Sequence, residues 1–124
     1  ILRVDLDSAG WPKGKPEVVL DCRKDGLNPD GSVVDQEGCI WNAQWGASRV
    51  ARYSPNGEFL NSLEFDAPQI SCPEFGGDDL STLFVTSARV DLSDRQLQEA
   101  PMSGAVFSVE TKNKGQKAHQ IVLS

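Results

Sequence analysis

The sequence predicts an all-β fold, and three observations carry that prediction. Apolar residues alternate with polar ones at a period of two along almost the whole chain, the alternating runs are short, and Gly, Pro, Asn and Asp fall between them where turns need them. A length of 124 residues allows one domain with a modest core and excludes two ordinary ones. With 39 % apolar and 24 % charged residues, the composition is that of a globular chain and not of a disordered one.

The elements follow in order. Residues 2–6 alternate as a strand, and the stretch 8–14, with Gly10, Pro12 and Gly14, breaks it. Residues 17–20 (Glu-Val-Val-Leu) predict a second strand, and residues 32–35 a short third one stopped by Gln36-Glu37-Gly38. Residues 39–43 and 49–53 come next, and the turn Ser54-Pro55-Asn56-Gly57 has Pro and Asn-Gly in hairpin positions before residues 59–65. Residues 70–75, 83–86, 105–109 and 119–123 complete a set of about ten strands. Only residues 93–100 read as helix: Ser93 is placed to cap it, good helix formers follow, and Pro101 ends it.

Stacking the strands reveals a repeat. A strand, a Gly turn and a second strand recur at Leu2 to Leu20, at Val50 to Phe65 and at Val106 to Leu123. Ile40-Trp41 and Leu83-Phe84 hold matching places upstream of the last two copies, about 40–45 residues apart, the period of four-stranded propeller blades. The expected architecture is therefore two outer strands of one blade, a complete blade over about residues 30–65, and another over about 70–123 that is enlarged by an insertion at 88–104. Two and a half blades cannot close a ring, and closure is what removes open strand edges.

Charge and composition narrow the function. A net charge of −6 without a Lys/Arg cluster excludes a nucleic-acid surface. No apolar run approaches the ~20 residues of a membrane-spanning helix. The start, Ile1-Leu2-Arg3-Val4-Asp5, carries no secretory signal and no initiator Met, so a cytoplasmic piece of a longer chain is expected. Cys22, Cys39 and Cys72 lack C-x-x-C spacing and are expected as buried or half-buried reduced thiols. His119 is the single histidine, in a Lys-rich stretch, which leaves no zinc set and no Ser-His-Asp or Cys-His device.

Asp30 stands out, in Pro29-Asp30-Gly31-Ser32-Val33-Val34-Asp35, followed by Gly38-Cys39-Ile40-Trp41-Asn42-Ala43. Taken alone, Pro-Asp-Gly is a β-turn. Together with residues 45–57, Ser71-Cys72-Pro73-Glu74-Phe75-Gly76-Gly77, residues 83–89 and Pro101-Met102-Ser103-Gly104-Ala105-Val106-Phe107, it resembles the sugar-lactonase family of gluconolactonase, L-arabinolactonase and regucalcin. The resemblance runs along nearly the whole chain, and Ser32 after Pro-Asp-Gly sets it nearest the arabinolactonase-like branch. It implies a six-bladed propeller with one divalent metal at the channel mouth (calcium or zinc, with magnesium and manganese as further candidates) and hydrolysis of sugar lactones. It also implies that this chain is the C-terminal portion of such a domain, residues 1–124 forming less than half of it. Asp30 then becomes a metal ligand and the general base. The family's other two protein ligands, a Glu and an Asn, belong to stretches absent from this sequence, and neither Asn28 nor Asn42 matches the Asn motif.

Other acidic and aromatic groups read differently. Asp78-Asp79 and the Asp5/Asp7 pair lack calcium-loop spacing and are expected in solvated turns. Gly76-Gly77 precedes neither a helix nor a Lys and forms no phosphate cradle. Trp41 is expected to pack between blades, while Trp45 lies near a rim loop where packing and sugar contact are both open. The rival to a lactonase portion is a non-catalytic propeller segment serving as a structural or oligomeric module. Either way, the bare edges call for the missing N-terminal portion or a second copy of the chain as partner, with a sugar lactone as substrate in the enzymatic reading.

Overall fold

The computed structural model describes residues 1–118, and the strand expected at 119–123, with His119, lies outside them. Among the described residues nine strands form three antiparallel sheets. The first pairs β1 (Leu2–Leu6) with β2 (Pro12–Val18). The second runs β3 (Asn28–Val34), β4 (Ile40–Trp45), β5 (Arg49–Tyr53) and β6 (Phe59–Glu64) in that order. The third is β7 (Ile70–Gly76), β8 (Thr82–Ser87) and β9 (Val106–Glu110). The helix α1 (Asp94–Glu99) sits between β8 and β9, and Ser93 caps it in a reciprocal capping box with Gln96. These match the two outer strands, the complete blade and the first three strands of the next blade that the repeat predicts.

Two strands begin four or five residues before the sequence reading places them, and the other boundaries lie within two residues of it. The second strand is Pro12–Val18 and not 17–20, although it contains two prolines and a glycine. All seven of its residues are exposed and it pairs with β1 alone, so the missing proline N–H groups break no ladder on a second side. The strand expected to begin just after Asp30 begins at Asn28, because the chain already pairs with β4 through Asn28–Trp45 and Pro29–Gln44.

The core lies between the second and third sheets. Trp41, Ala43 and Val50 of one pack against Ile70, Phe75, Leu83 and Val85 of the other, with Phe65 and Ala67 closing the join. The Trp41 and Phe75 rings meet edge to face at 5.6 Å. Burying each such side chain contributes roughly 1.5–3 kcal/mol. Strands β3 and β7, the first of their sheets, also lie side by side. Outer faces are bare: Leu2 and Val18 of the first sheet, and Phe84 and Val106 of the third, are exposed.

Cys22 and Cys39 are buried as expected, but Cys72 is exposed. The reason is a bulge in β7 between Ile70 and Cys72 that changes the alternation, so that Pro73 and Phe75 turn inward and Cys72 and Glu74 outward. Among the described residues no helix is long and apolar enough to cross a membrane.

Candidate functional site

Asp30 lies on the strand that runs beside the neighbouring sheet, at an irregularity in its own. The β3–β4 register shifts between Pro29 and Ser32, so Asp30 and Gly31 form a bulge. Such a bulge re-aims a side chain, and the Asp30 residue is exposed. Two features hold it. Asn42, fully buried on β4, donates through Nδ2 to the carbonyls of Asp30 (3.1 Å) and Gly31 (3.3 Å) and to Ser32 Oγ (3.0 Å). Gly31 meets β7 so closely that a Cβ there would stand 2.7 Å from the Ser71 carbonyl oxygen and 2.8 Å from Cys72 Sγ. The glycine of Pro-Asp-Gly is thus required by the contact between sheets, and the bond from Asn42 fixes the backbone that presents the carboxylate.

Sequence reasoning put Asn42 on the second strand of its sheet but missed that it braces Asp30. An amide within the apolar run Cys39-Ile40-Trp41-Asn42-Ala43 was the available signal, since a buried amide needs partners. Its Oδ1 is buried without a partner.

A second acidic centre, at the end of the strand expected over residues 32–35, was not singled out by the sequence. Asp35 is fully buried. Its Oδ1 accepts from the Glu37 and Cys39 backbone N–H groups, and its Oδ2 accepts from Trp41 Nε1 (2.9 Å) and from Arg52 Nε and Nη2 (2.9 and 2.7 Å). Arg52 also pairs with Glu37 and lies 5.6 Å from the Trp41 ring centre. Burial pushes the Asp35 carboxyl up, but the bonds from Trp41, Arg52 and Cys39 outweigh it and hold it below its ordinary 3.8. The potential ligand atoms of Asp35, Glu37 and Cys39 fall within 4.8 Å of one another. A cation is nevertheless ill suited there, because the Arg52 guanidinium already occupies the charge position. Burial and the Asp35 charge also push the Cys39 thiol up, away from the thiolate form that metals bind. This is a structural ion pair.

The remaining candidates are placed plainly. Trp41 packs between sheets as expected, and Trp45 is half-buried at the rim beside Asn28. Asp79 is exposed, accepts from Ser81 and pairs with Lys114 Nζ at 3.0 Å. Asp7 accepts from the N–H groups of Ala9 and Trp11 in a solvated turn.

Residues 1–89 match the family model described as the SMP-30/gluconolactonase/LRE-like region. The chain belongs to that family. It is 46 % identical over 88 residues to an L-arabinolactonase of Azospirillum brasilense, covering 71 % of this chain and 29 % of that protein. It is 36 % identical to a 6-deoxy-6-sulfogluconolactonase of Pseudomonas putida, covering 93 % of this chain and 40 % of that protein. Among solved structures, a calcium-binding protein, regucalcin, of Agrobacterium tumefaciens strain C58 superposes with a TM-score of 0.88 at 42 % identity, over 93 % of this chain and 39 % of that one. The chain spans 29–40 % of the length of these proteins.

For a sugar-lactonase-like site, this chain offers one well-presented carboxylate. Ser32 Oγ accepts from Asn42 Nδ2, the Asn42 Oδ1 is buried, and Ser71 Oγ is hydrogen-bonded to Thr86 Oγ1 at 2.8 Å. A hard divalent cation takes six or more oxygen ligands, so Asp30 suits such an ion as one ligand among several and does not complete a site.

Proposed function

We propose that this chain is the C-terminal portion of a metal-dependent sugar-lactone hydrolase, with Asp30 as metal ligand and general base. The observation that carries the proposal is the presentation of Asp30: an exposed carboxylate on a bulge, its backbone clamped by Asn42 and its neighbour Gly31 pressed against β7. It stands in the Pro-Asp-Gly of the stretch that matches the family. A bound divalent cation (calcium, zinc, magnesium or manganese) would supply Lewis-acid polarisation of the lactone carbonyl. Asp30 takes a proton from the water whose oxygen attacks the carbonyl carbon. The ring C–O bond then breaks, the released alkoxide oxygen is protonated, and the product is the open aldonic acid. Asn42 and Gly31 do no chemistry; they hold the backbone from which the carboxylate acts.

The other ligands come from sequence outside this chain, and the bare faces around Leu2 and Val18 and around Phe84 and Val106 are covered by that sequence or by a second copy of the chain. Two copies would bring two Asp30 carboxylates and neither of the family's other protein ligands. The unbonded cysteines support a reducing compartment, the cytoplasm. A second reading, a non-catalytic propeller module, is favoured by the exposed faces together with the single ligand.

The test is lactone hydrolysis by this chain fused behind the N-terminal region of a full-length relative. The fusion is expected to hydrolyse a sugar lactone in the presence of a divalent cation, and Asp30→Asn to lower kcat by at least ~10². The chain alone is expected to show little or no activity. Full activity of the Asp30→Asn fusion would refute the role of Asp30, and an inactive fusion that folds and binds metal would favour the module.

A further inference from the structure

A cavity of about 800 Å³ opens at the rim between the second and third sheets, on the edge where β4 ends and β7 begins. Trp45 and Phe65 form one wall, Pro68 and Gln69 the floor, and the insertion between β8 and β9 the other wall, through Glu99 and Met102. Its volume is that of small-molecule pockets in general. The walls are tied in place. Trp45 bridges to Gln69, the Gly46 N–H donates to the Pro68 carbonyl, the Ala88 N–H donates to the Gln69 carbonyl, and Gln69 Nε2 donates to the Val90 carbonyl at 2.8 Å. The Ser93 capping box holds the helix that carries Glu99.

Three features define what the cavity accepts. The indole of Trp45, half-buried at the mouth, offers an apolar surface to a flat ring of C–H groups. The lining carries the exposed carboxylates of Asp66 and Glu99 and no Lys or Arg of its own. Glu99 Oε1 accepts from Arg95 Nε at 2.9 Å, so Asp66 carries most of the opposition to an anion, and the remaining carboxylate oxygens supply acceptors for hydroxyls. Gln69 is only 8 % exposed and its Oε1 has no hydrogen-bond partner. A ligand hydroxyl that reached that buried oxygen would supply the donor it lacks.

We infer that this cavity, whose lining does not include Asp30, is a binding subsite for a neutral sugar ring, stacked on Trp45 with its hydroxyls on Glu99, Asp66 and Gln69. The aldonate product of lactone hydrolysis is an anion and is discriminated against here. That the ring belongs to a lactone substrate rests on the proposed function; that it is a neutral sugar does not, because binding requires neither metal nor hydrolysis.

The full chain with ¹⁵N-labelled indoles is titrated with glucose, maltose and gluconate in the presence of a chelator. The indole of Trp45 is expected to shift saturably with a neutral sugar, with gluconate at least about tenfold weaker. Trp45→Ala is expected to weaken binding by about tenfold, the loss of one ring-stacking contact, and Trp45→Phe to retain most of it. No shift with either neutral sugar, equal binding of gluconate, or binding unaffected by Trp45→Ala would overturn the inference. The wild-type comparison with gluconate needs no variant and decides even where Trp45→Ala does not fold. In the active fusion, a lower KM for a glycosyl-substituted lactone than for the plain lactone, lost in Trp45→Ala, assigns the ring to an extended substrate; equal KM values with sugar binding intact assign it to a free sugar. Sugar binding without hydrolysis would leave this inference standing and fell the lactonase reading, and the reverse pattern would do the opposite.

Discussion

The second and third sheets are two copies of one plan with different surroundings. Trp41 and Phe84 hold the same place in the repeat, yet Trp41 is 2 % exposed and Phe84 is 42 % exposed. Trp41 faces the third sheet and meets Phe75, whereas Phe84 alternates with Leu83 and Val85, which fill the core, and so points to the other side. Their hairpin aspartates differ in the same way. Asp35 is buried with Arg52, where the second sheet is covered by the chain near Gly115, and Asp79 pairs with Lys114 in solvent. In this fold a blade's aromatic and ionic residues are buried by the next blade, and the blade's own sequence only provides them.

The comparison can be broken most forcefully at Asp35. Asp35→Ala takes the acceptor from Trp41 Nε1 and leaves the buried Arg52 with Glu37 as its one carboxylate partner, and a loss of roughly 3–5 kcal/mol in urea unfolding is expected. The same pair sets an acid limit. The Asp35 carboxyl is held below its unfolded value of 3.8, so its contribution is fully present above that pH and is lost as pH falls through the lower folded value. Between those two values Asp35→Asn, destabilised at neutral pH, should lose less further stability than the parent chain, as followed by circular dichroism.

Next in size is the join between sheets. Gly31→Ala sets a methyl group against the Ser71 carbonyl and Cys72, and a loss of about 1–3 kcal/mol is expected together with chemical-shift changes along β7. At the small end, Asp79→Ala should leave the unfolding midpoint unchanged, because both it and Lys114 are solvated. Equal losses for Asp35→Ala and Asp79→Ala would show that the covering of the second sheet does not distinguish the two hairpins.

Much of this was legible in the sequence. The runs 2–6, 49–53, 59–65, 70–75 and 83–86 each fall on a strand, and Ser93 begins the helix where its cap predicts. The strand Pro12–Val18 was not legible, because an exposed outer strand needs no apolar face and tolerates the prolines that normally exclude one. Asp30 could be singled out by its motif, but not the means of its presentation. Asn42 reaches it from twelve residues away and β7 from some forty, and neither contact leaves a local pattern. Asp35 was hidden for a related reason: it reads as the polar last residue of a short strand before the turn Gln36-Glu37-Gly38, and its partner Arg52 lies on a strand two turns later.

The central claim is that Asp30 is one ligand of a cation site shared with residues outside this chain. Calorimetric titration with calcium and with manganese tests it most directly, on the chain alone and on the fusion to a relative's N-terminal region. The prediction is no stoichiometric site in the chain alone and one in the fusion, abolished by Asp30→Asn and unaffected by Glu37→Gln. A stoichiometric site in the chain alone that disappears with Glu37→Gln, or a fusion site that survives Asp30→Asn, would contradict it.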